Sequence, residues 1–162
     1  MSLLDMDERI LKIVELADLR ATPITDLKEP DESGVDVGVL EGGINNSANE
    51  EVAHKMRQRA KILVALGDCA VFGGVPALRN LCGVEAALKQ AYEDAPSNEP
   101  GSKIPDDPEL ATMTKARAIH EVVPVDYNVP GCPPDPDVIF HVLAELAQGR
   151  KPEIKDELLH WH

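Results

Sequence analysis

Thiolates are the side chains in this sequence best suited to a soft metal or redox role, and there are three cysteines: Cys69, Cys82 and Cys132. Cys69 stands in Gly67-Asp68-Cys69-Ala70 and Cys132 in Pro130-Gly131-Cys132-Pro133-Pro134. Each directly follows a segment that reads as a strand, so glycine and proline turns fix both thiols at strand ends. Glycine lets backbone N–H groups come close to a metal centre, and the proline-rich turn holds its thiolate rigidly. The competing reading is an ordinary buried cysteine in each turn. Two such turns at one sheet edge favour the metal centre. Cys82, in RNLCGVEAAL, reads as a packing residue just ahead of a helix. Glu41 ends a strand at Glu41-Gly42-Gly43, where a carboxylate can relay protons or stand beside a metal, or be simply a solvated acid. Asp68 has the same two readings.

Other chemistries find little support. The five histidines form no HExxH or CxxH spacing, and His160-Trp161-His162 is a terminal tail. Ser102, His120 and Asp126 form no triad order around a nucleophile elbow. Gly42-Gly43 and Gly73-Gly74 fit neither GxGxxG nor a P-loop. With 16 Lys+Arg against 29 Asp+Glu the formal charge is −13, which argues against nucleic acid or an anionic membrane as partner. Aromatic content of 3% leaves few base-stacking surfaces. No stretch reaches the ~20 apolar residues of a spanning helix. The start, MSLLDMDERI, lacks a basic segment followed by an apolar core, so a cytoplasmic location is expected. An odd, sparse cysteine set agrees with a reducing compartment.

The elements that must position the thiols follow from periodicity. Residues 2–18 read as an amphipathic helix starting at a Ser2/Asp5 capping pair, and 19–25 as an edge strand. Residues 35–40 form a strand ending at the EGG turn, and Ser47 and Glu50 make a capping box for a helix to about residue 59. The apolar run at 62–66 (ILVAL) has the pattern of a strand buried on both faces. A helix at 83–92, a long loop at 94–118, a strand at 122–129 and a helix at 136–148 complete the chain, which is expected to be one domain over 1–162. Strands alternating with helices give an α/β fold with a mainly parallel open sheet covered on both faces. In such sheets function gathers beyond the carboxyl ends of the strands, where 41–43, 67–70 and 130–134 all fall.

Three stretches carry a family resemblance: LEGGINNSANE, ILVALGDCAVFGGVPALRN and VPVDYNVPGCPPDPDVIFHVLAEL. Together they resemble the small subunit of [NiFe] hydrogenases, in particular that of cytoplasmic NAD-reducing (bidirectional) hydrogenases, over nearly the whole chain. The related complex I subunit shares G-x-C-A-x-x-G-G and PGCPP, so a complex I-type iron–sulfur subunit is an alternative. The resemblance implies a flavodoxin-like domain holding a proximal [4Fe–4S] cluster, with the Ni–Fe centre on a large partner subunit. Cys69 and Cys132 would be the third and fourth cluster ligands. Glu41, Gly42, Gly67, Asp68, Gly131 and Pro133 would lie around that cluster. No catalytic residue is implied on this chain, which would be inactive alone. Its electrons would pass towards a diaphorase module with its own iron–sulfur subunits.

The family's first two ligands lie in a CxxC-type segment after an initial strand, immediately ahead of the position matching MSLLD. Two cysteines do not supply the four thiolates of a [4Fe–4S] cluster. A longer chain is therefore expected, in preference to a shortened subunit without its cluster. Two other readings stay open: a cluster-less structural subunit bracing the large subunit, and a flavin-binding module suggested by the fold alone.

Overall fold

The computed structural model describes residues 6–22 and 30–154. Its centre is a three-stranded parallel sheet in the order β1 (Val35–Glu41), β3 (Ala60–Leu66), β5 (Tyr127–Val129). The apolar run at 62–66 is the middle strand, with Leu63, Val64, Ala65 and Leu66 all buried. Its side chains alternate between two cores. Val64 and Leu66 join Met6, Val129, Val138, Ile139, Val142 and Leu146 on the face covered by α1 (Arg9–Leu16) and α5 (Pro136–Ala147). Leu63 and Ala65 join Ile44, Ala53, Ala70, Val71, Ile119 and Val123 on the face covered by α2 (Ser47–Arg59). The sheet is thus covered on both faces, as expected. On α5, each of Val138, Ile139, Val142 and Leu146 contributes roughly 1.5–3 kcal/mol by leaving water. The same helix is pinned to α1, where Arg9 pairs with Asp137 and lies over the Phe140 ring.

Several local expectations change. The first helix begins at Arg9; Met6–Glu8 form a turn in which Asp7 has φ +51°, a left-handed conformation that interrupts helix. The capping pair at Ser2 and Asp5 lies outside the described residues, as does most of the expected strand at 19–25, whose described part has no strand pairing. At α2 the cap is Asn46, which accepts from the Asn49 N–H at 2.9 Å. Ser47 accepts instead from the Thr112 N–H at 3.0 Å, and Glu50 pairs with Arg117 at 2.6 Å. These two residues tie the helix to the 94–118 segment, whose last part is a strand, β4 (Met113–Arg117), antiparallel to β2 (Ile44–Asn46). MTKAR has no apolar alternation, so its pairing depends wholly on the distant partner. The strand expected at 122–129 shrinks to β5. Pro124 has no N–H for a ladder, and Val122, Val123 and Val125 pack into the second core from a loop. The helix at 83–92 is α4 (Val84–Lys89), continued by a π-turn over Gln90–Asp94.

Candidate metal centre

The three strands end level with one another: Glu41 is in register with Leu66, and Leu66 with Val129. The chain beyond each therefore emerges on one rim. After Leu66, the Gly67 N–H donates to the Val129 carbonyl at 2.7 Å, extending the ladder past the last paired residues. Asp68 then closes a two-way link to the other cysteine turn. Its N–H donates to the Gly131 carbonyl at 2.9 Å, and its Oδ1 accepts from the Gly131 N–H at 2.7 Å. Cys69 and Cys132 each follow immediately on a member of this pair, so the two thiol-bearing turns lie side by side.

Cys69 sits in the five-residue helix α3 (Asp68–Phe72) and is half-buried, whereas Cys132 is exposed. Two glycines are required here by close approach. A Cβ on Gly131 (φ +134°) would come within 2.5 Å of Pro134 Cα, so the PGCPP turn closes only without a side chain. A Cβ on Gly74 (φ +49°) would stand 2.8 Å from Cys69 Sγ and 2.9 Å from its Cα, so bare backbone wraps the thiol. The EGG turn reaches the same residue, since a Cβ on Gly43 would lie 3.2 Å from the Cys69 carbonyl oxygen. Glu41 and Gly42 are exposed on the rim; a Cβ on Gly42 would meet nothing within 4 Å. Pro133 follows Cys132 through a cis peptide bond and is exposed.

Asp68 also has a structural part that neither expected reading contained: its carboxylate is a strap holding the Gly131 turn. Cys82 does not pack. It is exposed at the end of a 3-10 helix (Val75–Leu81), its thiol donating to the Arg79 carbonyl at 3.3 Å. Asp126, far from any nucleophile role, accepts from the Leu63 N–H at 2.7 Å and from Arg57 at 2.6 Å, and these hold its carboxyl below the usual carboxylate range. His160-Trp161-His162 lies outside the described residues. Gly73-Gly74, which fits no phosphate loop and enters the family resemblance through G-x-C-A-x-x-G-G, meets the thiol turn directly, since Gly74 lies against Cys69.

The two candidate donors are soft. Cys69 and Cys132 place two thiols on one rim, and only the lack of a side chain at Gly74 lets backbone lie so close to the first. Among the described residues, no three of His, Cys, Asp or Glu lie close enough to hold one metal ion. These residues fit one side of a four-thiolate cluster and do not by themselves close it.

Residues 1–146 match the family described as NADH ubiquinone oxidoreductase, 20 Kd subunit. The chain belongs to this family. Hydrogenase subunits are among its relatives. It is 42% identical to the NAD-reducing hydrogenase HoxS subunit delta of Cupriavidus necator, over 93% of this chain and 73% of that one. It is 31% identical to the F420-non-reducing hydrogenase iron-sulfur subunit of Archaeoglobus profundus, over 94% of this chain. The chain spans about half the length of this and the other archaeal F420-non-reducing hydrogenase subunits it matches. A solved chain of NAD+-reducing [NiFe]-hydrogenase in the H2-reduced state superimposes with a TM-score of 0.93 at 41% identity. That match covers 100% of this chain and 90% of the other. The α/β fold with a parallel open sheet is therefore that of a hydrogenase small subunit. No helix among the described residues is long and apolar enough to cross a membrane.

Proposed function

We propose that this chain is the electron-transfer subunit of a heteromeric [NiFe] hydrogenase of the NAD-reducing type. Cys69 and Cys132 would hold two corners of a proximal [4Fe–4S] cluster. The observation that carries this reading is the reciprocal Asp68–Gly131 link, which sets two thiols from distant parts of the sequence on adjoining turns. The likeness to a NAD-reducing hydrogenase subunit supplies the context. Such a cluster passes single electrons at a potential set by its thiolates, nearby hydrogen bonds and exclusion of water. This chain's part is to hold the thiols: Asp68 straps the two turns, Gly74 gives Cys69 Sγ room, and Gly131 lets the Cys132 turn close. Hydrogen would be split on the large subunit, and electrons would leave through the diaphorase module. Glu41, Gly42 and Pro133 would line the same rim.

The test uses the assembled complex. Cys69→Ser and Cys132→Ser should each abolish H2-driven NAD reduction while NADH–dye reduction by the diaphorase continues. Iron and acid-labile sulfide should fall by one cluster. Unchanged H2-driven rates in either variant would sink the assignment and favour a subunit that only braces its partner.

A further inference from the structure

The 3-10 helix Val75–Leu81 buries none of its own side chains. Its leucines, Leu78 and Leu81, turn outward and are 62% and 87% exposed. Apolar packing therefore does not fix this segment on the fold; hydrogen bonds from Arg79 and Asn80 do. They enter where the β2–β4 ladder is irregular. Ile44 is in register with Arg117 and Asn46 with Met113, so two steps along β2 face four along β4. Such a break leaves backbone groups without ladder partners, and buried backbone seldom goes unpaired. Asn80 claims both groups of Ala116, donating to its carbonyl at 2.8 Å and accepting from its N–H at 2.9 Å. Arg79 Nη2 bridges the two strands, donating to the Asn45 carbonyl at 3.2 Å and also to the Thr114 carbonyl.

Both stretches of backbone that flank Cys69 hang on that guanidinium. On one side, the Ala77 N–H donates to the Gly73 and Gly74 carbonyls at 3.2 and 3.1 Å, so the anchored segment carries the Gly74 backbone that wraps Cys69 Sγ. On the other, Asn45 Nδ2 donates to the Gly43 carbonyl at 2.9 Å, and Gly43 lies against the Cys69 carbonyl. Arg79 belongs to the first side and donates to the backbone of the second, which joins them. We propose that Arg79 is a positioning residue for Cys69, fixing the backbone about the thiol and so tuning the potential of the cluster that the thiol would hold. This inference rests on the reading of the chain as an iron–sulfur electron-transfer subunit. Hydrogen bonds and water near a cluster's sulfurs set its potential, so a small shift of the Gly74 backbone is read there directly.

The experiment uses the purified complex and follows, by redox titration, the cluster whose EPR signal Cys69→Ser removes. Arg79→Met keeps the stem but removes the donors, and should displace the midpoint beyond the spread of replicate titrations. Arg79→Lys should restore it. Both bonds come from one nitrogen and Nε has no partner among the described residues, so a single ammonium can serve both carbonyls. Arg57→Met, at the opposite end of the sheet, weakens the fold and should leave the midpoint unchanged. If Arg79→Met does not assemble, Asn80→Ala, which frees the same segment at its other anchor, takes its place and should displace the midpoint. An unmoved midpoint, or an equal displacement in Arg79→Lys or Arg57→Met, overturns the positioning role and leaves the subunit reading intact. Absence of any EPR signal that Cys69→Ser removes overturns that reading, and the positioning role with it.

Discussion

The two ends of the β3–β5 seam carry the same hydrogen-bonding device with opposite consequences. At the amino end, the Asp126 N–H donates to the Leu63 carbonyl at 2.9 Å and its Oδ2 accepts from the Leu63 N–H at 2.7 Å. At the carboxyl end, Asp68 and Gly131 make the same two-way bond at 2.9 and 2.7 Å. The amino end is then sealed. Arg57 reaches Asp126 and also donates to the Ala60 and Lys61 carbonyls at 2.6 and 2.9 Å. The carboxyl end is surrounded instead by glycine, proline and thiol. An aspartate that extends a ladder is therefore a generic fastening, and what stands next to it decides whether the end is structural or chemical.

Substitutions can break that contrast, beginning with the largest effect. Gly131→Ala should destabilise the chain by about 3 kcal/mol or more and lower cluster content, because the added methyl meets Pro134 backbone at 2.5 Å and φ is positive. Gly42→Ala, on the same rim with open space around it, should cost only about 1 kcal/mol, the left-handed backbone alone. Equal losses in urea titrations of the two would refute the view that the PGCPP turn is sterically closed. Gly74→Ala should fall between them in stability, yet match Gly131→Ala in lost iron, since its methyl would press on Cys69 Sγ.

Smaller effects test the two aspartates. Asp126→Ala should cost on the order of 1–2 kcal/mol by leaving the Leu63 N–H without its acceptor and removing one of the acceptors of Arg57. The Leu63 N–H, then Arg57, lowers the folded-state pKa of Asp126. Its contribution is therefore fully present above the ordinary carboxylate pKa and is lost as pH falls through the lower folded value. Acid titration of Asp126→Asn should lack that part of the stability loss. A profile identical to the unaltered chain would show that the pair is not coupled to folding. Least of all, Lys61→Ala should leave stability unchanged, because its 2.7 Å pair with Asp36 is fully solvated.

The legible parts of the fold were those whose partners matter little. ILVAL reads as a two-sided strand because all its neighbours, whatever they are, must be apolar. The α5 span is legible for the same reason, whereas α2 buries only Ala53 and owes its expected start to polar residues at 47–50. The strand at 122–129 was over-read because Val122, Val123 and Val125 supply buried apolar surface from a loop, and burial alone does not distinguish loop from ladder. β4 was missed because MTKAR carries no pattern of its own, and the capping box failed because Ser47 and Glu50 found partners in that same distant segment.

Two thiols at strand ends, each among glycine and proline, on a sheet whose middle strand must be buried, are written in the local sequence. Only the tertiary structure decided that Asp68 is a strap, that Gly74 wraps Cys69, that Cys82 stands in solvent, and that VPALRNL turns its leucines outward. The strap and the outward turn of VPALRNL depend on hydrogen bonds to distant residues, Gly131, Thr114 and Ala116. Local pattern records which residues prefer burial or a turn. It does not record which distant backbone group will claim them.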